Sequence, residues 1–310
     1  MRVAVTGAGG FVGGAIAAYL AAAGHEVLAL GRSDWDLESD GPAPRELASV
    51  DAVVHAAARV EPWGPPGPFM AATVRGTARL LDALGDGVRI VIIGSASVYD
   101  PRIPHLRANE RDAPAADGCY YNAYARAKAA QERLVAERRP DAVVLRPRAV
   151  WGPGDTTLLP RLAARIRAGR LILPAGGRNP MSATHVTSLT TAVGAALVRP
   201  AVRGPVNAAD ASPTTAAGLL GQVFAAAGRD IRIVGVPGVV AEAAAAVAEA
   251  AWRAVRRATE PPLTRYAVAA FARPFTLDLT RLHDELGVAP DVDVPRAAEE
   301  VAADWHRAGS

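Results

Sequence analysis

Residues 2–30 read RVAVT-GAGGFVGG-AIAAYLAAA-GHEVLAL. Arg2-Val-Ala-Val-Thr6 is a short, nearly continuous apolar run, the pattern of a buried strand. Gly7 to Gly13 is a turn, and Ala15 to Ala23 is a run of strong helix formers that Gly24 stops. Val27 to Leu30 then begins a second strand. Strand, glycine turn, helix, strand is the setting in which spaced glycines cradle a dinucleotide. Gly7 permits the tight turn, Gly10 lets backbone N–H groups approach a pyrophosphate, and Gly13 lets helix and strand pack closely. The partial positive charge of the helix N-terminus adds to the attraction.

The end of the second strand is where such a fold reads the adenosine ribose. An acid there binds the 2′-hydroxyl, whereas an arginine accommodates a 2′-phosphate. The chain has Leu30-Gly31-Arg32-Ser33, with no carboxylate and an immediate guanidinium, so NADP(H) is favoured over NAD(H).

Working outward, Ala52–Ala56, Val88–Ile93 and Ala142–Leu145 read as three further strands, with helices over Phe69–Leu84 and Asn122–Arg138 between them. This alternation predicts an α/β chain, a Rossmann-type doubly wound parallel sheet covered on both faces. After Asp155 the pattern loosens into helices at Leu158–Arg167, Leu189–Val198, Thr214–Ala227 and Val239–Arg257, with short strands and many prolines. Residues 1–155 are therefore read as a dinucleotide-binding domain. Residues 156–310 are read mainly as a smaller α/β substrate lobe, some of whose segments return to the first domain.

Composition removes several classes of function. The net charge is +3, and the arginines are scattered without a block, which argues against a nucleic-acid partner. Cys119 is the single cysteine, which fits a reducing cytoplasm. It lies five residues before Tyr124 and is read as a small packing residue rather than a pocket group. The glycine-broken N-terminus does not read as a signal peptide. The apolar stretch Gly235–Trp252 carries Pro237, Glu242 and Glu249 and falls short of a membrane span. The six histidines are isolated, so no metal site is expected.

Of 34 Lys and Arg residues only Lys128 is lysine. It stands four residues after Tyr124 in YNAYARAKAAQERL, so ammonium and phenol share one helix face. A compact ammonium beside a phenol favours phenolate and is expected to lower the phenol pKa toward neutrality. The pair reads as an acid–base device.

TGAGGFVG, DAVVHAAA, SASVY, YARAK and LRPRAVWGPG, in that order, resemble the extended short-chain dehydrogenase/reductase superfamily, also called the NAD-dependent epimerase/dehydratase family. LLPRLAARIRAGRL, AAARVEPWGPP and PLTRYAVAAFARPFTLDLTRLHDELGVAP look like its 3β-hydroxysteroid dehydrogenase-like branch, which includes 2-alkyl-3-oxoalkanoate reductases. The resemblance implies catalytic roles for Tyr124, its partner Lys128, and Ser95, which would hydrogen-bond the reacting oxygen. It implies a cofactor site at Gly7, Gly10, Phe11, Val12, Gly13, Arg32, Asp36, Leu37, Ala56, Ala57, Ala58, Thr73, Pro147 and Val150, together with Tyr124 and Lys128. Thr73 stands where the family has asparagine, and Ser188 where it often has aspartate. The segment from the second strand to Asp36 is too short for the usual extra helix and strand, so a seven-stranded sheet is not expected. A homodimer packed on the Tyr124 helix would be family-like.

Dehydratases of this kind carry an Asp-Glu pair after the catalytic Ser/Thr, because elimination needs an extra acid and base. Here those positions are Ala96 and Ser97. The asparagine common in nucleotide-sugar epimerases is Ala149. The expectation is therefore an NADP(H)-dependent ketone–alcohol oxidoreductase acting on a hydrophobic small molecule, with Trp63, Pro65, Ser97, Val98, Trp151 and Met181 around the substrate. A nucleotide-sugar epimerase or reductase and a non-catalytic NADP-binding sensor stand as alternatives.

Overall fold

The computed structural model describes residues 1–115, 118–255 and 259–308. Its centre is a six-stranded parallel sheet in the order Gly204–Ala208, Val143–Pro147, Arg89–Ile93, Ala52–His55, Arg2–Thr6, Glu26–Leu30. Between Leu30 and Ala52 the chain forms only a 3-10 turn, Arg45–Ser49. The strand Gly204–Ala208 comes from far beyond residue 155 and adds to the edge beside Val143–Pro147.

Successive strand residues face opposite sides. Val3, Val5, Val91 and Ile93 pack with Ile16, Leu20, Leu189 and Val193 from the helices Phe11–Ala22 and Val186–Leu197. Ala4 packs with Leu30, Leu47 and Leu80 on the other face, where Ile90 and Ile92 meet Leu81 and Val135. Burial on both sides explains why these strands read as apolar runs rather than as alternating ones.

The helix Phe11–Ala22 starts four residues before Ala15, because Gly13 and Gly14 are tolerated inside it. The segment expected as one helix over Phe69–Leu84 begins as α-helix at Pro66–Phe69, widens into a π-helical stretch at Met70–Arg75, and resumes as α-helix at Gly76–Ala83. Beyond the sheet, Trp151, Leu159, Leu162, Leu171, Phe224 and Val301 form a second core. Strand pairs Arg170–Pro174 with Arg232–Val236, and Thr184–His185 with Val150–Trp151, flank it. Among the described residues, no helix is long and apolar enough to cross a membrane.

Candidate active site

The carboxyl ends of the strands open into one cleft of about 710 Å³, whose wall includes Thr6, Leu30, Ala56, Ile93 and Pro147. It lies where the strand order reverses between Arg2–Thr6 and Ala52–His55. A doubly wound sheet offers a ligand crevice at this place. Gly7 holds φ 72°, and a Cβ there would stand 2.7 Å from the Ala57 nitrogen. At Gly13 a Cβ would meet the Gly7 carbonyl oxygen at 2.1 Å. Both glycines are thus required by close backbone approach.

The helix after this turn has Gly10 as its N-cap, with no side-chain cap and no acid in its first turn. Its N–H groups are left for a ligand with negative charge. Gly10, Phe11, Val12, Ala57, Ala58 and Val150 complete this part of the wall. Trp35, Asp36, Leu37 and Glu38 line the far end, and the buried Trp35 Nε1 has no partner among the described residues. A pyrophosphate cradle and an orphaned donor near the adenine end fit a dinucleotide. Arg32 also lines the cleft; its guanidinium pairs with Glu38 at 2.8 Å, and the Gly31 N–H donates to Asp34.

Ser95, Tyr124 and Lys128 all line this same cleft. Ser95 follows the strand Arg89–Ile93 in extended conformation, and its Oγ accepts the Ser97 N–H at 3.1 Å. Tyr124 stands in the first turn of Ala123–Arg138, a helix started by Asn122, whose side chain accepts the Ala125 N–H at 3.0 Å. A side-chain hydrogen bond joins the Tyr124 phenol to Ser95. The phenol pKa moves opposite to the expectation from sequence. Burial raises it, the hydrogen bond to Ser95 opposes that only in part, and Lys128 is not among the causes.

The Lys128 ammonium donates instead to the Ile93 carbonyl at 2.7 Å and to Gln131 Oε1 at 3.0 Å. Burial pulls its pKa down to about 8 against the support of Glu132. Gln131 Nε2 donates to Thr77 Oγ1 at 2.7 Å, and the Thr77 hydroxyl donates to the Thr73 carbonyl at 2.5 Å. His55 Nε2 lies 2.9 Å from the same Oγ1, and His55 Nδ1 lies 2.7 Å from Thr6 Oγ1. With the Thr77 proton committed, the network assigns the His55 hydrogen to Nε2 and leaves Nδ1 to accept from Thr6. Burial and the nearby Lys128 charge push the His55 pKa down to about 3, so the ring is neutral. A continuous buried polar chain therefore ties Lys128 to the strand ends that flank the cleft.

Of the residues expected around the substrate, Ser97 and Met181 line the cleft, and Ser97 Oγ is buried without a partner among the described residues. Four others lie off the wall. Val98 and Trp151 are fully buried in the cores, and the Trp151 ring packs edge-on to His185. Trp63 turns to the Arg253 guanidinium, 5.2 Å from its ring centre, and Pro65 is exposed; their loop reaches the cleft through Val60, Glu61 and Pro62. Thr73, expected at the cofactor, is buried in the π-helical stretch with its hydroxyl unpartnered among the described residues, while neighbouring Ala72 lines the wall. Cys119 is buried and accepts from Arg102.

The carboxylate missing at Ser188 is supplied from elsewhere. Asp210 accepts the Ser188 hydroxyl at 2.6 Å and the His185 N–H at 2.8 Å. Several wall residues carried no local signal, among them Arg148, Arg161, Tyr266, Phe271 and Phe275. Tyr266 and the two phenylalanines lie within the C-terminal segment that carries the resemblance, but only the folded chain brings them onto the wall that Tyr124 also lines.

Residues 3–209 match the NAD dependent epimerase/dehydratase family. The chain is 29% identical to the 2-alkyl-3-oxoalkanoate reductase of Stenotrophomonas maltophilia, over 98% of this chain and 99% of that protein. It is 31% identical to a 4-hydroxy-2-methyl-3-oxo-4-farnesyl-3,4-dihydroquinoline-1-oxide ketoreductase of Stigmatella aurantiaca, over 93% of this chain and 92% of that one. Among solved structures it resembles the UDP-glucuronic acid 4-epimerase of Bacillus cereus in complex with NAD, with TM-score 0.75, 16% identity and all of both chains covered.

Proposed function

The chain belongs to the NAD dependent epimerase/dehydratase family, and we propose that within it the protein is an NADP(H)-dependent ketoreductase for a hydrophobic small molecule. The observation that carries this reading is the grouping of Ser95, Tyr124 and Lys128 on the wall of the nucleotide cleft, which also includes the apolar Leu158, Leu162, Met181, Phe271 and Phe275. The reductase names of the two relatives support the same reading. Cofactor binding is assigned to residues 1–155 and substrate selection mainly to residues 156–310.

When bound, the reduced nicotinamide supplies the hydride for the carbonyl carbon. Tyr124 donates its phenolic proton to the carbonyl oxygen, and the upward pKa shift keeps that proton in place at neutral pH. Ser95 hydrogen-bonds both the phenol and the reacting oxygen, steadying the charge that develops there. Lys128 presents its ammonium to the nicotinamide ribose, with Ile93 and Gln131 fixing its position. Arg32 leaves Glu38 for the 2′-phosphate. Their exposed pair is worth only ~0–1 kcal/mol, so the exchange costs little.

Neither Ala96 nor Ser97 offers the further acid and base that elimination requires, which speaks against dehydration. A spectrophotometric assay with NADPH tests the reading on steroid ketones, 3-oxoacyl compounds and UDP- or dTDP-sugars side by side. Reduction of the hydrophobic ketones is expected. Activity confined to the nucleotide sugars would replace it with the epimerase reading, and tight cofactor binding with no turnover would favour a sensor.

A further inference from the structure

Two stretches of the cleft wall, residues 60–62 and the helix Arg265–Ala272, come from distant parts of the chain, and a single carboxylate links them. Glu249 stands on the helix Gly238–Ala254, none of whose described residues lines the cleft, and is 1% exposed. Its Oε1 accepts the Arg265 backbone N–H at 2.7 Å, and its Oε2 accepts from Arg265 Nε at 3.0 Å. A carboxylate on the first N–H of a helix satisfies a donor that has no partner within the helix, and it meets the positive end of the dipole. Glu249 thereby seats the helix that brings Tyr266, Ala270 and Phe271 to the wall. The Arg265 guanidinium lies 5.1 Å from the ring centre of Tyr121, another wall residue, three positions before Tyr124.

The same Oε2 accepts from Arg253 Nη2 at 3.1 Å, and the Arg253 guanidinium lies 5.2 Å from the ring centre of Trp63. The carbonyl of Pro62, next to Trp63, accepts from Asn122 Nδ2 at 3.4 Å, and Asn122 caps the helix of Tyr124. Val60 lines the cleft and is 51% exposed, so this loop forms part of the cleft mouth. The links differ in strength. From its buried position Glu249 holds Arg265 by two charge-assisted hydrogen bonds, the strong kind. The Arg253 side chain is 54% exposed, and a cation–π contact at an exposed site is weak. In the chain Trp63–Arg253–Glu249–Arg265, the first link is the one that thermal motion breaks most often.

We propose that Glu249 is a positioning residue for the substrate and that the Trp63–Arg253 contact it anchors is a latch on the cleft mouth. Latched, the loop of residues 60–62 and the helix Arg265–Ala272 keep one arrangement around a bound molecule. Parting of the Trp63 ring from the guanidinium frees the loop to move aside, while the Glu249–Arg265 bonds keep Tyr266 and Phe271 in place. A latch of this kind sets how fast a molecule enters and leaves, not how tightly it is held. The seating of the helix sets the tightness, because an unseated wall must be ordered at binding. The two roles are therefore separable. The proposal rests on the reading that the cleft receives an apolar ketone.

The test is stopped-flow binding of 2-decanone to the NADP⁺-loaded protein, where no hydride is available, followed by tryptophan emission. Trp35 on the cleft wall reports in every variant. Trp63→Ala and Arg253→Met should raise the association and dissociation rate constants together, roughly two- to fivefold, as an exposed cation–π contact allows, and leave Kd nearly unchanged. Glu249→Ala should weaken 2-decanone roughly tenfold, the cost of ordering Tyr266 and Phe271 at binding, and leave NADP⁺ affinity unchanged. Glu249→Gln keeps an acceptor for the Arg265 N–H and should restore part of the loss; should Glu249→Ala fail to fold, Glu249→Gln is compared with the wild type directly. Unchanged rates in both latch variants, or a rise in dissociation alone, would overturn the latch. Glu249 variants that bind 2-decanone as the wild type does, or that lose both ligands equally, would overturn the positioning role. Chymotrypsin cleavage after Trp63 in the ligand-free protein separates the latch from the ketone reading. Arg253→Met should be cut faster than the wild type, and equal cutting would overturn the latch. Faster cutting in a protein that binds no 2-decanone would defeat the ketone reading and leave the latch standing.

Discussion

Gln131 accepts a hydrogen bond from Lys128 Nζ at 3.0 Å and passes its own amide proton to Thr77 at 2.7 Å. The ammonium is therefore oriented by a residue one turn further along its helix, not by the phenol one turn before it. Gln131→Leu should leave the ammonium with one fixed acceptor and Thr77 with an unused lone pair. A loss of about 1–3 kcal/mol in stability is expected from the orphaned buried groups, together with a fall in kcat larger than any change in NADPH affinity. Chemical denaturation and steady-state kinetics measure the two effects separately. A variant with unchanged kcat would remove Gln131 from the positioning of Lys128.

Tyr124→Phe should retain cofactor binding while hydride transfer falls by roughly 10²–10⁴-fold, the usual worth of a placed acid. Lys128→Arg should fail nearly as badly although its charge is kept, because a planar fork cannot satisfy Ile93 and Gln131 in the space of an ammonium. Single-turnover kinetics at saturating NADPH is the measurement. Wild-type rates for Lys128→Arg would remove the lysine from the mechanism.

Arg32→Ala should raise the dissociation constant for NADPH and leave that for NADH nearly unchanged, since only the former carries the 2′-phosphate. Nicotinamide fluorescence titration reads both. Equal weakening of the two cofactors would show that Arg32 does not read the ribose.

The pH profile follows from the signs of the two shifts. Burial depresses Lys128 to about 8, so the ammonium is present below that pH and lost above it. Tyr124 is shifted upward and keeps its proton through the same range. The value of kcat/KM for ketone reduction should therefore be flat near neutrality and fall above pH about 8. Glu132 raises the lysine pKa. Glu132→Gln removes that support, so the alkaline limb should move to lower pH.

Glu132→Ala should also destabilise the fold, by about 3–5 kcal/mol, because it leaves Arg146 buried without its partner. Thermal unfolding of the purified variant checks this. A melting temperature equal to that of the wild type would mean that the pair is dispensable.

Much of the nucleotide half was legible because its signals are local. A strand of adjacent apolar residues, a glycine that must hold φ 72° and a Tyr-x-x-x-Lys spacing are complete within a few residues of chain. Side-chain direction was less so. Trp63 and Trp151 lie in segments that resemble pocket walls, yet one faces Arg253 and the other the core, because a single χ1 choice turns a large ring either way. The departure at Thr73 could be seen in the sequence, but not the π-helical stretch that holds it or the Thr77–Gln131–Lys128 chain beside it.

The order of the first elements, the parallel sheet and the Tyr124–Lys128 spacing were determined by the sequence alone. They depend on periodicity and on spacings within single helices and turns. Only the tertiary structure decided the sign of the Tyr124 pKa shift and the arrival of Arg148, Arg161 and Tyr266 on one cleft wall. Burial and charge compensation are sums over neighbours drawn from distant parts of the chain. Tyr266 lies 142 positions beyond Tyr124, and no local pattern records that the two phenols share one cavity.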